Sequence, residues 1–136
     1  MSFYDRHILP RFINCACASK PIMKQRQKVV PLATGTVLEI GIGTGLNLSY
    51  YDERRVQRVI GLDPSEASWK LARERAAQVN FAVEFIGLPG EEIPLEDASV
   101  DTVLVTFALC TIPDPVTALR GMARVLRPGG SLLFCE

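Results

Sequence analysis

The residues of this chain with the most chemical content are Glu39, Gly41, Gly43 and Gly45, at alternate positions in Val37-Leu38-Glu39-Ile40-Gly41-Ile42-Gly43-Thr44-Gly45. The apolar run from Val37 to Ile42 is short and bounded by glycine, the pattern of a buried strand. Three glycines at alternate positions permit a sharp turn and let a ligand approach the backbone without meeting a Cβ. Leu46-Asn47-Leu48-Ser49-Tyr50-Tyr51 is expected to open a helix whose free N–H groups face the loop. Asp63 follows Gly45 by eighteen positions and ends a second apolar run, Val59-Ile60-Gly61-Leu62-Asp63. In a doubly wound sheet that separation brings the carboxylate beside the glycine loop, where it can accept both hydrogens of a ribose diol. Together these residues read as a nucleotide-binding βα turn. A plain glycine turn, and an Asp63 that only caps the next helix, are the structural alternatives.

Glu39 narrows the choice of nucleotide. The spacing is GxGxG rather than the GxGxxG of a dinucleotide site, and a carboxylate two residues ahead of the first glycine would repel a pyrophosphate. It suits a ligand that carries positive charge. S-adenosylmethionine has a sulfonium, an ammonium and no phosphate, and is the expected cofactor. The loop and Asp63 by themselves would also serve NAD.

The elements that must position these residues alternate regularly. Strands are expected at Thr36–Ile42, Val59–Asp63, Phe81–Ile86, Val100–Leu109 and Ser131–Cys135. Helices are expected over Leu46–Asp52, from Pro64-Ser65 through Trp69, Ala72, Ala76 and Val79, and from the cap Asp114 with Pro115 behind it. Val116, Leu119, Ala123 and Leu126 form the apolar stripe of that last helix, Arg127 stands at its negative end, and Pro128-Gly129-Gly130 stops it. The fold class is therefore α/β: a Rossmann-like, doubly wound parallel sheet of about five strands in three α/β/α layers. Residues 1–34 form an N-terminal helical cover segment and 35–136 the binding domain. In the cover segment Ile22 to Val30 is helix-forming behind Pro21, and Lys20, Lys24, Arg26 and Lys28 read as a solvated basic face.

From Thr36 to Glu136 the chain resembles the class I S-adenosylmethionine-dependent methyltransferases. Val37 to Gly45 is similar to their first motif and Gly61-Leu62-Asp63-Pro64-Ser65 to their second-strand acid motif. Ile93-Pro94-Leu95-Glu96-Asp97-Ala98-Ser99-Val100-Asp101-Thr102-Val103 resembles the block leading into their fourth strand, and Arg124-Val125-Leu126-Arg127-Pro128-Gly129-Gly130 the signature before their fifth. Within the group the likeness is to the quinone-biosynthesis and small thiol-methyltransferase-like types, the latter through Thr106 to Ile112. The resemblance implies that Glu39 binds the cofactor's ammonium, directly or through water. It implies that Gly41, Gly43 and Gly45 line the methionine and ribose portion, that Asp63 holds the ribose hydroxyls and that Pro64 packs near the adenine. Gly90 and Glu91 correspond to the adenine-edge loop. Many relatives have Gly-Asp-Ala there, so Glu91 or backbone N–H groups must replace the missing acid. Thr106 and Phe107 fall where relatives contact the methyl and amino-acid end, with plain core packing as the alternative.

The implied activity is methyl transfer to a small-molecule acceptor such as a thiol or a quinone precursor. An NAD-dependent oxidoreductase and a non-catalytic cofactor-binding fragment are the competing readings. Tyr4, Asp5, His7, Asp114 and Glu136 are conceivable bases, and none is assigned as catalytic. Lys plus Arg equals Asp plus Glu, which argues against a nucleic-acid partner. No apolar run approaches the ~18 residues of a membrane span, so no stable membrane insertion is expected. Cys15, Cys17, Cys110 and Cys135 lack metal-site spacing, so no metal is expected and the thiols read as reduced in a cytoplasmic protein. The family's sheet has seven strands, whereas this chain ends with the fifth. It is accordingly expected to be a fragment, or to pair the exposed edge of strand five with a second copy in a homodimer.

Overall fold

The computed structural model describes residues 19–136; Tyr4, Asp5, His7, Cys15 and Cys17 lie outside them. Helix α1 covers Lys20–Val29 and runs into a 3-10 turn at Val30–Leu32. Five strands follow: β1 Gly35–Ile40, β2 Val56–Leu62, β3 Ala82–Ile86, β4 Val100–Thr106 and β5 Leu126–Cys135. Helix α2, Glu66–Ala76, joins β2 to β3, and helix α3, Pro115–Val125, joins β4 to β5. The sheet order is β3-β2-β1-β4-β5 and every pairing is parallel. The chain reverses its direction of travel across the sheet between β1 and β4, and a crevice opens at the carboxyl ends of such strands.

Alternation along the central strands divides the core into two layers. Leu38, Ile40, Ile60, Leu62, Val103 and Val105 pack on one face against Ala118, Met122 and Val125 of α3. Val37, Val59 and Leu104 pack on the other with Val30, Leu48, Tyr51 and Phe81, and Ala76 of α2 lies against them. The expected three layers are present. Among the described residues no helix is long and apolar enough to cross a membrane.

Three local expectations are corrected. No α-helix follows the glycine loop; only a 3-10 turn at Leu48–Tyr50 forms there. The return path explains this: β2 spans roughly 23 Å at about 3.3 Å per residue, whereas the stretch from Leu48 to Arg55, coiled as an α-helix, would reach only about 12 Å. The chain therefore goes back in a more extended form. Helix α3 buries Ala118, Met122 and Val125, while Val116 and Leu119 are exposed. Its small residues select that face, since a Cβ on Gly121 would sit 3.1 Å from Ile93 Cδ1. The helix also ends at Val125, before Pro128-Gly129-Gly130, which lies within β5 where the register with β4 shifts.

Two of the sequence blocks prove to be clips that hold this frame. Arg124 Nη2 donates to the Ile93 carbonyl at 2.8 Å, and its Nη1 to the Leu95 carbonyl at 2.6 Å and Asp97 Oδ1 at 2.9 Å. Asp101 Oδ2 accepts from Thr36 N at 2.8 Å, and its Oδ1 from Arg127 Nη1 at 3.0 Å. Asp114 caps α3 as expected, accepting from Thr117 N at 3.1 Å. β5 is one edge of the sheet, with Phe134 63% exposed on it.

The phase of α3 is testable by urea unfolding. Met122→Ala should cost about 2–5 kcal/mol, as for a buried side chain that leaves a cavity. Val116→Ala should stay within about 0.5 kcal/mol, as for a surface position. A reversed order would restore the stripe through Val116 and Leu119.

Candidate functional site

The turn after β1 is held by contacts that only small residues permit. Gly41 has φ +70°, and a Cβ there would lie 2.6 Å from the Ala108 Cβ. Gly45, at φ +79°, would meet Ala72 of α2 at 3.1 Å. The loop is tied to the end of β2 at its start and its middle: Gly41 N donates to the Leu62 carbonyl at 2.7 Å, and Gly43 N to Asp63 Oδ2 at 2.9 Å. Arg75 of α2 donates to the Thr44 carbonyl. Asp63 Oδ1 accepts from Ser65 N at 2.8 Å, so the acid is locked beside the loop from both sides. Burial pushes its carboxyl above the ordinary range, and the two backbone N–H groups act the other way.

A cavity of about 170 Å³ opens at the crest of β1, β2 and β4. Ile40, Leu62, Ala108 and Ile112 give it apolar walls, and Asp63 is its acidic group on the β2 side. Of the residues expected in a site, Gly41, Asp63, Pro64, Gly90 and Glu91 line this cavity. Glu91 Oε1 accepts from Asp114 N at 3.0 Å and thus holds the approach to α3.

The other expected residues, Glu39, Gly43, Gly45, Thr106 and Phe107, do not line the cavity. Gly43 and Gly45 build the loop. Glu39 is only 1% exposed and accepts a hydrogen bond from Tyr51 Oη at 2.7 Å. Desolvation raises its pKa to about 7, with Tyr51 and then Arg26 acting to lower it. Thr106 is buried at the carboxyl end of β4, and its Oγ1 accepts from Asn47 Nδ2 at 2.9 Å and from Arg26 Nη1 at 2.9 Å. Phe107 takes a left-handed φ of +51° as β4 ends, and its ring centroid lies 5.2 Å from the Arg26 guanidinium carbon.

Arg26 and Asn47 are the polar residues that the motif pattern missed. Arg26 belongs to no solvated face: it is 5% exposed, unlike Lys20, Lys24 and Lys28 around it. Its spacing from Ile22 and from Val29-Val30 puts a cation on the apolar stripe of α1, which is the signal available in the sequence. Asn47 and Tyr51 carry no comparable signal, since their partners come from other strands.

The raised Glu39 pKa makes a prediction about stability. The folded protein keeps this proton up to about pH 7, whereas the unfolded chain releases it near 4.5. Stability contributed by protonated Glu39 is therefore complete below pH 4.5 and is lost as pH rises to about 7. Thermal unfolding across that range should show Glu39→Gln gaining on wild type as pH increases. Parallel curves would contradict the assignment.

The model of the methyltransferase domain family matches residues 38–134. Human thiol S-methyltransferase TMT1B is 40% identical over 109 residues, covering 76% of this chain and 44% of that protein. The ubiquinone/menaquinone biosynthesis C-methyltransferase UbiE of Enterobacter sp. is 35% identical over 106 residues, covering 74% of this chain and 42% of its own length. Among solved structures, a SAM-dependent methyltransferase from Thermotoga maritima, described as a possible histamine N-methyltransferase, superposes with a TM-score of 0.68 at 29% identity, over 96% of this chain and 60% of that one. The chain thus spans about half the length of the curated relatives it matches. S-adenosylmethionine is the cofactor of this group, and the chain belongs to the methyltransferase domain family, as a class I S-adenosylmethionine-dependent member.

Proposed function

We propose that the glycine loop, Asp63 and the adjoining cavity bind S-adenosylmethionine, and that the whole protein transfers its methyl group to a small-molecule acceptor. The observation that carries this reading is the Gly43–Asp63 hydrogen bond at 2.9 Å. It holds a carboxylate beside the cavity while leaving it acceptor capacity, because an ionised carboxyl offers about four lone-pair sites. Gly43 and Ser65 engage one on each oxygen, and the remaining ones suit the two hydroxyls of a ribose. The walls formed by Ile40, Leu62 and Ile112 suit an adenine, with Pro64 and Gly90 at its rim. Glu91 Oε1 is engaged by Asp114 N, and the carboxylate keeps acceptor capacity for the adenine edge.

The NAD reading loses support in the same geometry. A pyrophosphate gains from a helix amino terminus behind the loop, and the three-residue turn at Leu48–Tyr50 supplies none.

When bound, S-adenosylmethionine supplies a methyl group on a sulfonium, already activated toward displacement. The residues of this chain have to hold and align the ligand and keep water out, a positioning effect worth roughly 7–11 kcal/mol in favourable cases. Base catalysis receives no support from two of the acids considered. Asp114 caps α3, and its hydrogen bonds from Thr117 hold the carboxyl below the usual range. Glu136 Oε1 accepts from Ala108 N and Leu109 N at 3.2 and 3.0 Å. An acceptor that ionises readily, such as a thiol of pKa about 8.5, needs the least help. The 40% identity to a thiol S-methyltransferase supports that class first, and the likeness to UbiE supports a quinone precursor second. A cytoplasmic location belongs to the same proposal, supported by the free thiols of Cys110 and Cys135.

Titration calorimetry with S-adenosylhomocysteine checks the ribose assignment: Asp63→Ala should weaken binding at least tenfold, and unchanged affinity would remove it. Labelled methyl transfer to a panel of thiols, quinone precursors and phenols tests the activity; binding without turnover would leave a cofactor-binding domain.

Among the described residues no strand pairs with the outer edge of β5, and with Leu132 and Phe134 exposed this supports self-association of the 136-residue chain. Size-exclusion chromatography should show dimers or larger species, and a lasting monomer would dismiss the idea.

A further inference from the structure

One wall of the cavity, formed by Ala108, Thr111, Ile112 and Pro113, comes from the segment that leaves β4. A 3-10 turn at Leu109–Thr111 is the regular element it contains. The segment fits closely against the rest of the crest. A Cβ on Gly41 would lie 2.6 Å from the Ala108 Cβ, and one on Gly90 would lie 2.9 Å from Ile112 Cδ1. A shift of this wall therefore either meets the glycine loop or opens the cavity.

The entry to the wall is strained. Phe107 has φ +51°, a left-handed value that is unfavourable for a residue with a side chain and persists only where the surroundings hold it. The end of β5 does the holding. Phe107 N donates to the Cys135 carbonyl at 2.8 Å. The next two N–H groups, of Ala108 and Leu109, converge on Glu136 Oε1 at 3.2 and 3.0 Å. These are the donors that the start of a helical turn leaves without an internal partner, and a carboxylate oxygen can accept from both. The Glu136 side chain is exposed and has no ion-pair partner among the described residues. Its contacts to the two N–H groups can therefore be removed without disturbing the core.

We infer that Glu136 is a positioning residue for cofactor binding: it does not line the cavity, and it acts through Ala108 and Leu109, whose wall it keeps formed before the ligand arrives. This rests on the S-adenosylmethionine reading above. Without the side chain the left-handed turn at Phe107 is free to relax, and the wall loses its fixed place beside Gly41 and Gly90. The ordering of the segment then opposes ligand binding. The need is for an acceptor at this place rather than for a negative charge, so the carbonyl oxygen of a glutamine can serve.

Calorimetry with S-adenosylhomocysteine and amide hydrogen exchange, both on the 136-residue chain, test this. Glu136→Ala should bind at least about fivefold more weakly than wild type, on the scale of a lost hydrogen bond. Its Ala108 and Leu109 amides should exchange at least about tenfold faster, while those of β1 and β4 stay protected. Glu136→Gln should bind within about twofold of wild type and restore the slow exchange. Unchanged affinity in Glu136→Ala would overturn the inference. So would a Glu136→Gln protein as weak as Glu136→Ala, which marks a role for charge rather than position. Weakened binding with the two amides still protected would overturn it as well, because positioning acts through them. If Glu136→Ala does not fold, Glu136→Asp, one methylene shorter, takes its place with the same expected losses. A wild type that does not bind S-adenosylhomocysteine would sink the cofactor reading itself, and this inference with it.

Discussion

A single buried guanidinium ties helix α1 to the crest of the sheet, where β1 and β4 already run side by side. Arg26 comes from α1, Asn47 from the loop after β1 and Thr106 from the end of β4, and the three share a closed set of hydrogen bonds. Next to them Glu39 is sealed against Tyr51. Polar groups buried this deeply are stable only when nearly all their hydrogen-bonding capacity is used, so each constrains the positions of the others. The glycine loop rests on this layer, and its shape follows from what lies beneath it as much as from its own flexibility.

Above that layer the constraint is steric. The loop passes Ala108 on one side, too close for a Cβ on Gly41, and Ala72 on the other, where a Cβ on Gly45 would be crowded and its φ of +79° strained. Gly43 then turns its N–H to Asp63, and the acid is held without help from a long side chain. The cavity beside it has apolar walls and two acids, Asp63 and Glu91, a composition suited to an aromatic base joined to a diol. The recognition surface is thus set by backbone proximity, which leaves few degrees of freedom to freeze when a ligand arrives.

Residues that mark the family in sequence divide into two kinds. Gly41 and Asp63 border the cavity, but Arg124 and Asp101 are far from it and act on the frame. Arg124 gathers the carbonyls of Ile93 and Leu95, fixing the loop that carries Gly90 and Glu91 toward the crest. Asp101 fastens the start of β1 to β4 and also receives Arg127. The Arg124 side chain is partly exposed, so its worth lies in satisfying carbonyl groups more than in its ion pair with Asp97.

The strand run, the parallel order and the pairing of the glycine loop with Asp63 were all legible in the sequence. Strands buried on both faces must be continuously apolar, and an acid after β2 can lie only at the crest. The cap at Asp114 was equally legible, because a cap is a local hydrogen bond. What the sequence could not decide was anything set by distance between elements. The 3-10 turn at Leu48–Tyr50 follows from the length of β2, and the buried face of α3 from how closely Ala118 and Gly121 let it approach the sheet. Arg26 is the sharpest instance: its neighbours at Lys24 and Lys28 are solvated, and only the arrival of Asn47 from the loop after β1 and Thr106 from the end of β4 makes its burial possible. Local chemistry is written in adjacent residues, whereas the partners of a buried charge are chosen by the packing of the whole fold.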